Sequence, residues 1–407
     1  MRLTIDRLGY LGDAVAYGPD GPLYVPQMLP GEVVDADVTD GTVSNVKIVT
    51  PSPARVKPPC AHARTCGGCL MQHAADAFVA DWKQGIVEGA LAGQGLQAAF
   101  RPMHTSPPAS RRRASFAARR TKGGVLMGFH ARASETLVAI PQCQLLHPDL
   151  IASLPGLEAL VKLGGSRSSE VVLTVTRSLA GVDVMVTGGK LLDGEARLDL
   201  ARIAEAHNMA RLTWDGETVA LRVQPMQRFG RVLVTPPPGA FLQATAEGER
   251  ALLQAVALAI GTGRRVVDLF AGCGTFSLPL AERYEVHAVE GDAAMTAALD
   301  KAVRGADGLK KLTVETRDLF RRPLEPDEFK GVDAVVIDPP RAGAEAQTAA
   351  LAQARVPVIA SVSCNPVTFA RDARRLTEVG YRLDWVQVVD QFRWSAHVEL
   401  AARFSLT

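Results

Sequence analysis

The chain has 407 residues, 47% hydrophobic and 22% charged, with a formal net charge of +2 and no low-complexity tract. That length suits two or three domains of roughly 100–200 residues each. No apolar run approaches the roughly 20 residues that span a bilayer, and the first residues lack a signal peptide's apolar core and cleavage site. A cytoplasmic protein with no membrane partner is expected.

Residues 1–50 alternate apolar and polar around the turn-rich "GPDGPLYVPQMLPGE", which predicts a small β-barrel of short strands. This segment is acidic, with seven Asp or Glu against three Lys or Arg. The Pro-rich "PSPARVKPPC" then breaks regular structure. Cys60, Cys66 and Cys69 follow, then the helical stretch "DAFVADWKQGIVEGALAGQ". Between Arg101 and Ser134 lie eight basic residues and no acidic one, centred on "SRRRASFAARRTKGG". Alternation there predicts a strand with one cationic face, suited to phosphates. Strand patterns in "GVLMGFHA", "EVVLTVT" and "GVDVMVTG", with a helix near 195–207, predict an α+β domain that ends near "TPPPGAFLQ".

In a reducing compartment the cysteines read as metal-binding or catalytic rather than disulfide-forming. C-x5-C-x2-C, with Cys143 far downstream, offers four thiolates that suit zinc or an iron–sulfur cluster, and spacing alone does not choose. His62 and His73 flank this set, where a hydrogen-bonding or surface role outweighs ligation. Cys273 reads as a small residue in a turn.

From residue 244 onward, "RRVVDLFAG", "YEVHAVEG", "KLTVETRD", "VDAVVIDPP" and "VPVIASVSC" are near-continuous apolar runs between helical segments. They predict a parallel, doubly wound sheet, closed by a terminal hairpin, with ligands beyond the carboxyl ends of its strands. In "DLFAGCGTF", Gly272 and Gly274 permit a tight turn and close approach to a ligand. Glu290 ends the next strand, placed for ribose hydroxyls. Phe276 or Ser277 stands where a dinucleotide fingerprint needs a third glycine, which favours adenosylmethionine over NAD. Asp318 is placed to meet an adenine amino group, and Asp338 of "DPPRAG" is aimed into the crevice as two prolines leave the sheet.

Cys364, in "SVSCNPVTFARD", ends the fifth strand. Pro366 suits the first helical turn, so the thiol is expected near a helix N-terminus that lowers its pKa. A thiolate beside a methyl donor suits a pyrimidine: addition at C6 makes C5 enolate-like and able to accept a methyl group. A base must then remove the C5 proton. Glu399, in "HVEL", is the candidate.

"DLFAGCGTF", "IDPPRAG", "SVSCNPVTFARD" and "HVEL", in this order, resemble the RNA uridine-5 methyltransferases. "YVPQMLPGEVV" is similar to that family's N-terminal TRAM module, an OB-like barrel, and "CAHARTCGGCLMQH" plus Cys143 to its [4Fe–4S] site. The resemblance implies a multidomain α/β protein: barrel 1–53, central α+β RNA-binding domain with the cluster 54–234, and Rossmann-like class I methyltransferase domain 235–407. It further implies Cys364 as nucleophile and Glu399 as base. S-adenosyl-L-methionine would be held by Gln243, Phe270, Thr275, Glu290, Asp318 and Asp338, and the cluster by Cys60, Cys66, Cys69 and Cys143. The sequence departs from the family at Thr275 and Thr245, where asparagine is usual, and in "QFRWSAHVE", which lacks the usual "PHT". Barrel and cluster together point to 23S rRNA as the partner of a monomeric enzyme, with the T-loop uridine of tRNA as the alternative. A noncatalytic RNA-binding or ribosome-assembly protein would have lost the nucleophile or base, and both are present. A cytosine-5 enzyme would need a "PC" loop where "DPPR" stands.

Overall fold

The computed structural model describes residues 1–406. At the N-terminus, five antiparallel strands follow the order Gly21–Val25, Ala14–Gly18, Arg2–Leu8, Val33–Thr39, Thr42–Thr50. Alternate side chains, among them Leu3, Ile5, Ala14, Ala16, Leu23, Val25 and Val34, turn inward to a common core, as the two-residue period of a strand requires. The two outer strands are not paired with each other among the described residues. The expected barrel is therefore a half-barrel.

A seven-stranded sheet follows, ordered Glu217–Leu221, Arg211–Trp214, Gly181–Thr187, Val171–Ser178, Arg113–Arg120, Val125–His130, Leu137–Ala139. Helices Leu154–Gly164 and Gly194–Ala206 bring Leu157, Leu160, Val161 and Leu200 onto Phe116, Leu173, Val184 and Trp214. The Arg-rich segment does form a strand, yet its first arginines are not a cationic face. Arg112 is buried, donating to the Gln243 carbonyl at 3.0 Å and pairing with Glu249. Arg113 donates to the Gly239 carbonyl, and Arg111 to the Arg113 carbonyl, each at 3.1 Å. Arg112 and Arg113 tie the central sheet to the following segment, because each lies where a backbone carbonyl there accepts a hydrogen bond.

The largest sheet has eight strands: Leu312–Thr316, Glu285–Glu290, Arg265–Leu269, Ala334–Ile337, Val358–Ser363, Leu400–Leu406, Tyr381–Asp390 and Phe100–Thr105. The first five run parallel, as the apolar runs imply, and the terminal hairpin adds antiparallel to them. The eighth strand comes from far upstream. Phe100–Thr105 pairs with Tyr381–Asp390, and helix Asp76–Ala92 buries Val87 and Leu91 in the core that holds Phe369 and Leu376. By packing, residues 76–105 belong with this sheet, so divisions at 54 and 235 follow chain order rather than space.

Candidate active site

Strand order reverses at Arg265–Leu269, which has Glu285–Glu290 on one side and Ala334–Ile337 on the other. Loops leaving such a point diverge and open a crevice at the carboxyl edge. The turn after Arg265–Leu269 uses positive φ at Phe270 (63°), Gly272 (57°) and Gly274 (90°). A Cβ on Gly274 would lie 2.5 Å from Leu299, whereas one on Gly272 would meet no atom within 4 Å, so that backbone faces open space. Glu290 accepts from the N–H groups of Gly272 (2.9 Å) and Asp292 (2.8 Å), clamping the turn to its neighbour. Phe270 packs tilted against Phe320 with ring centres 5.5 Å apart, and Asp318 fixes that segment by accepting from the Phe320 N–H at 3.0 Å. Thr275 lies at the exit of the turn, half-buried. Cys273 packs with Leu278 and Leu299, and burial pushes its thiol up to about 12.

Carboxyl groups line the floor. Asp268 is fully buried; Ser277 donates to its Oδ2, but Oδ1 has no partner, and burial pushes the acid up to about 7. Asp338, just beyond Ala334–Ile337, is raised by burial and then by the charge of Asp268. Gln243 donates to Asp338 Oδ2 at 3.4 Å.

Ser363 pairs with Leu400 in the antiparallel register, which puts Cys364 and Glu399 directly after one strand and directly before the other. Asn365 caps helix Pro366–Glu378 by accepting from the Val367 N–H at 3.1 Å, and its own amide donates to the Arg341 carbonyl at 2.8 Å. The Cys364 loop and the Asp338 loop are thereby joined. The helix N-terminus does not dominate the thiol. Burial, then the charges of Glu399 and Asp338, push Cys364 up to about 11, with Arg341 opposing. Glu399 is buried and raised by that burial and by Asp338, opposed by a hydrogen bond from Gln391. Cys364 forms part of the wall of an open cleft with Tyr10 and Leu11 of the half-barrel, Trp82, Arg341 and His397. The acidic N-terminal sheet thus contributes exposed Tyr10 and Leu11 to the cleft that Cys364 lines.

Two buried residues here escaped sequence reasoning. Gln391 contacts both Gln243 and Glu399. Lys83 pairs with Asp390 at 2.6 Å and donates to the Phe392 carbonyl at 3.1 Å, with neither charged side chain exposed by more than 1%. The signal for Lys83 was present: it falls between Val79 and Val87 on the four-residue stripe that the helix buries. Thr245 caps helix Ala246–Ile260 through the Gly248 N–H at 2.9 Å, a role asparagine fills equally well. Trp394, within the segment lacking "PHT", accepts from the N–H groups of Leu70 (2.7 Å) and Met71 (3.0 Å). No feature of the structure explains Thr275.

Cys60, Cys66, Cys69 and Cys143 line one small cavity, with His62 at its edge. All four are free thiols. Burial raises Cys66, Cys143 and Cys69, the last to about 12, and repulsion among the cysteine charges adds to each. Among the described residues, no three His, Cys, Asp or Glu side chains are gathered so as to hold a metal ion. His73 points elsewhere, its Nε2 buried without a partner and its pKa pushed down to about 4 by burial.

The tRNA (uracil-5-)-methyltransferase family model matches residues 197–404. An uncharacterized RNA methyltransferase of Brucella suis is 44% identical over 98% of this chain and 97% of its own length. The 23S rRNA (uracil(1939)-C(5))-methyltransferase of Chromohalobacter salexigens is 34% identical over 98% of this chain and 87% of its own. Among solved structures, the Pyrococcus abyssi tRNA (uracil-54, C5)-methyltransferase, in complex with S-adenosyl-L-homocysteine, superposes with a TM-score of 0.77 at 23% identity, covering 99% of both chains.

Proposed function

The chain belongs to the uracil-5 family of RNA methyltransferases, and from that premise we propose that it methylates C5 of a uridine in 23S rRNA through a covalent bond between Cys364 and C6. The observation that carries this reading is the placement of Cys364 and Glu399 just past two paired strand ends, at the Ser363–Leu400 register, with the charges of Glu399 and Asp338 acting on the thiol. The 23S rRNA relative, similar along nearly the whole chain, supports rRNA over tRNA as substrate.

The crevice fits S-adenosyl-L-methionine. Asp268 and Asp338, both raised first by burial and Asp338 also by the charge of Asp268, with Asp268 Oδ1 unpaired, suit a ligand carrying sulfonium and ammonium charges. Glu290 would meet the ribose and Asp318 the adenine, while Phe270, Thr275, Gln243 and Asp338 border the methionine side. When bound, this cofactor supplies an electrophilic methyl group.

The residues then act in sequence. Cys364 loses its proton and its sulfur bonds to C6 of a uridine flipped into the cleft, leaving C5 enolate-like. Once C5 carries the methyl group, Glu399 takes the C5 proton. The electron pair of that C–H bond re-forms the C5–C6 double bond, and the Cys364 sulfur departs. Glu399 must be ionised for this, so turnover should rise with pH through a range above that of ordinary glutamates.

Four thiols around one cavity also fit an iron–sulfur cluster. Four thiolates are the usual ligands of such a cluster, and the family resemblance in the cysteine segment favours it over zinc. In this reading Cys60, Cys66, Cys69 and Cys143 hold a [4Fe–4S] cluster, and the half-barrel acts as a TRAM-like module over the cleft.

RNA carrying 5-fluorouridine at the target should trap the enzyme, because fluorine cannot leave as a cation. A denaturation-resistant adduct that disappears in Cys364→Ala supports the mechanism. Glu399→Gln should accumulate adduct on ordinary RNA. Methylation persisting in Cys364→Ala would sink it. Mapping 5-methyluridine in rRNA and tRNA from a strain lacking the protein decides the substrate: loss from tRNA alone would replace rRNA with tRNA.

A further inference from the structure

Gln391 is 1% exposed, and every polar atom of its side chain is engaged. The Ala244 N–H can only donate, so Gln391 Oε1, 2.8 Å away, must face it. That contact fixes the amide. Nε2 then points toward the remaining two partners, donating to Glu399 Oε2 at 3.0 Å and to Gln243 Oε1. With its own oxygen occupied, Gln243 turns its amide nitrogen to Asp338 Oδ2. A single backbone N–H thus sets the orientation of two amides and two carboxyls in succession.

The surroundings make room for this arrangement. A Cβ on Gly248 would lie 2.6 Å from the Gln391 Cβ, so a glycine in the first turn of Ala246–Ile260 is what admits the side chain. On the other side, Asp390 is anchored by Lys83, which holds the backbone immediately before Gln391. A neutral amide with both hydrogens committed can hold a carboxylate without supplying a competing charge or proton.

We propose that Gln391 is the positioning residue of this site, holding Glu399 ready to take the C5 proton and locking Gln243 toward Asp338, so that base and cofactor side are set as one unit. This assignment rests on the covalent mechanism above. Gln391 touches neither reacting carbon; it acts through Glu399. Without its N–H, the Glu399 carboxylate loses a donor to its charged form while the charge of Asp338 still faces it. Methyl transfer should therefore continue, while release of the enzyme from its product slows.

The test uses the full-length protein, in unmutated form and as Gln391→Met and Gln391→Glu, mixed with methyl donor and labelled target RNA in single turnover. Denaturing gels follow the covalent complex across pH. In Gln391→Met, adduct should form at near the unmutated rate but resolve about tenfold or more slowly at neutral pH, and recover as pH rises. Gln391→Glu fills the same space and keeps an acceptor for Ala244, so it guards against a packing defect. It places another carboxyl against Glu399, and its resolution should need a still higher pH. Unchanged adduct lifetimes in both variants, or losses independent of pH, would overturn the assignment while leaving the Cys364 mechanism standing. If unmutated protein forms no Cys364-dependent adduct even with 5-fluorouridine RNA, mechanism and assignment fall together.

Discussion

Cys364 shows how local geometry and burial can oppose one another. Its helix N-terminus and Asn365 cap are the features expected of an activated thiol, yet burial beside two carboxyls pushes it up to about 11. The free enzyme should hold a protonated, unreactive cysteine that ionises only when substrate rearranges its surroundings. Alkylation of Cys364 by iodoacetamide, followed by peptide mass spectrometry, should be slow near neutrality and accelerate steadily as pH rises toward that value. Rapid alkylation with a plateau below pH 8 would mean that the helix prevails. The positions of Cys364 and Glu399 at strand ends were legible as residue types. Their raised pKa values were not, because these depend on how many atoms surround each group and which charges lie nearby.

At the scale of elements, helix Asp76–Ala92 does more than fill a face. Its Val79, Val87 and Leu91 enter apolar cores, while Lys83, on the same stripe, neutralises Asp390 at the end of Tyr381–Asp390. Such a pair need not be more stable than a well-packed apolar one, but removing one partner strands a buried charge. Lys83→Met should therefore cost about 3–5 kcal/mol, measured by denaturant unfolding, and adding Asp390→Asn should restore part of that loss. Additive losses in the double variant would show that the two side chains are not coupled. The arginines at 111–113 illustrate the same limit of sequence reading. An acid-free basic run predicts a phosphate-binding face, but Arg112 and Arg113 bond to carbonyls of residues far along the chain, partners that no local pattern reveals.

Across the whole molecule, the cysteine segment meets the loop that leads to Glu399. Leu70 and Met71, directly after Cys69, donate to the Trp394 carbonyl in the loop between Asp390 and Glu399. If the four cysteines hold a cluster, purified anaerobic protein should carry about four irons per chain. Removing the iron should increase hydrogen exchange in residues 390–399 as well as in 60–72. Zinc without iron would refute the cluster, and exchange confined to 60–72 would refute the connection. The chain spans nearly all of its curated relatives, so this connection can be sought in them as well.

The sequence by itself determined the parallel sheet, the glycine turn, the acidic strand ends and the positions of Cys364 and Glu399. Each depends on short-range rules: apolar runs that must be buried on both faces, a turn that needs positive φ, and a proline that starts a helix. Only the tertiary structure decided that Phe100–Thr105 joins the C-terminal sheet, that Lys83 pairs with Asp390, that Gln391 bonds both Gln243 and Glu399, that Arg112 is buried, and that Tyr10 stands beside Cys364. Apart from the bond between Gln391 and Glu399, these are contacts between residues far apart in the chain. They are set by which faces pack and which polar groups must be satisfied once water is excluded, and no local pattern in the chain records that outcome.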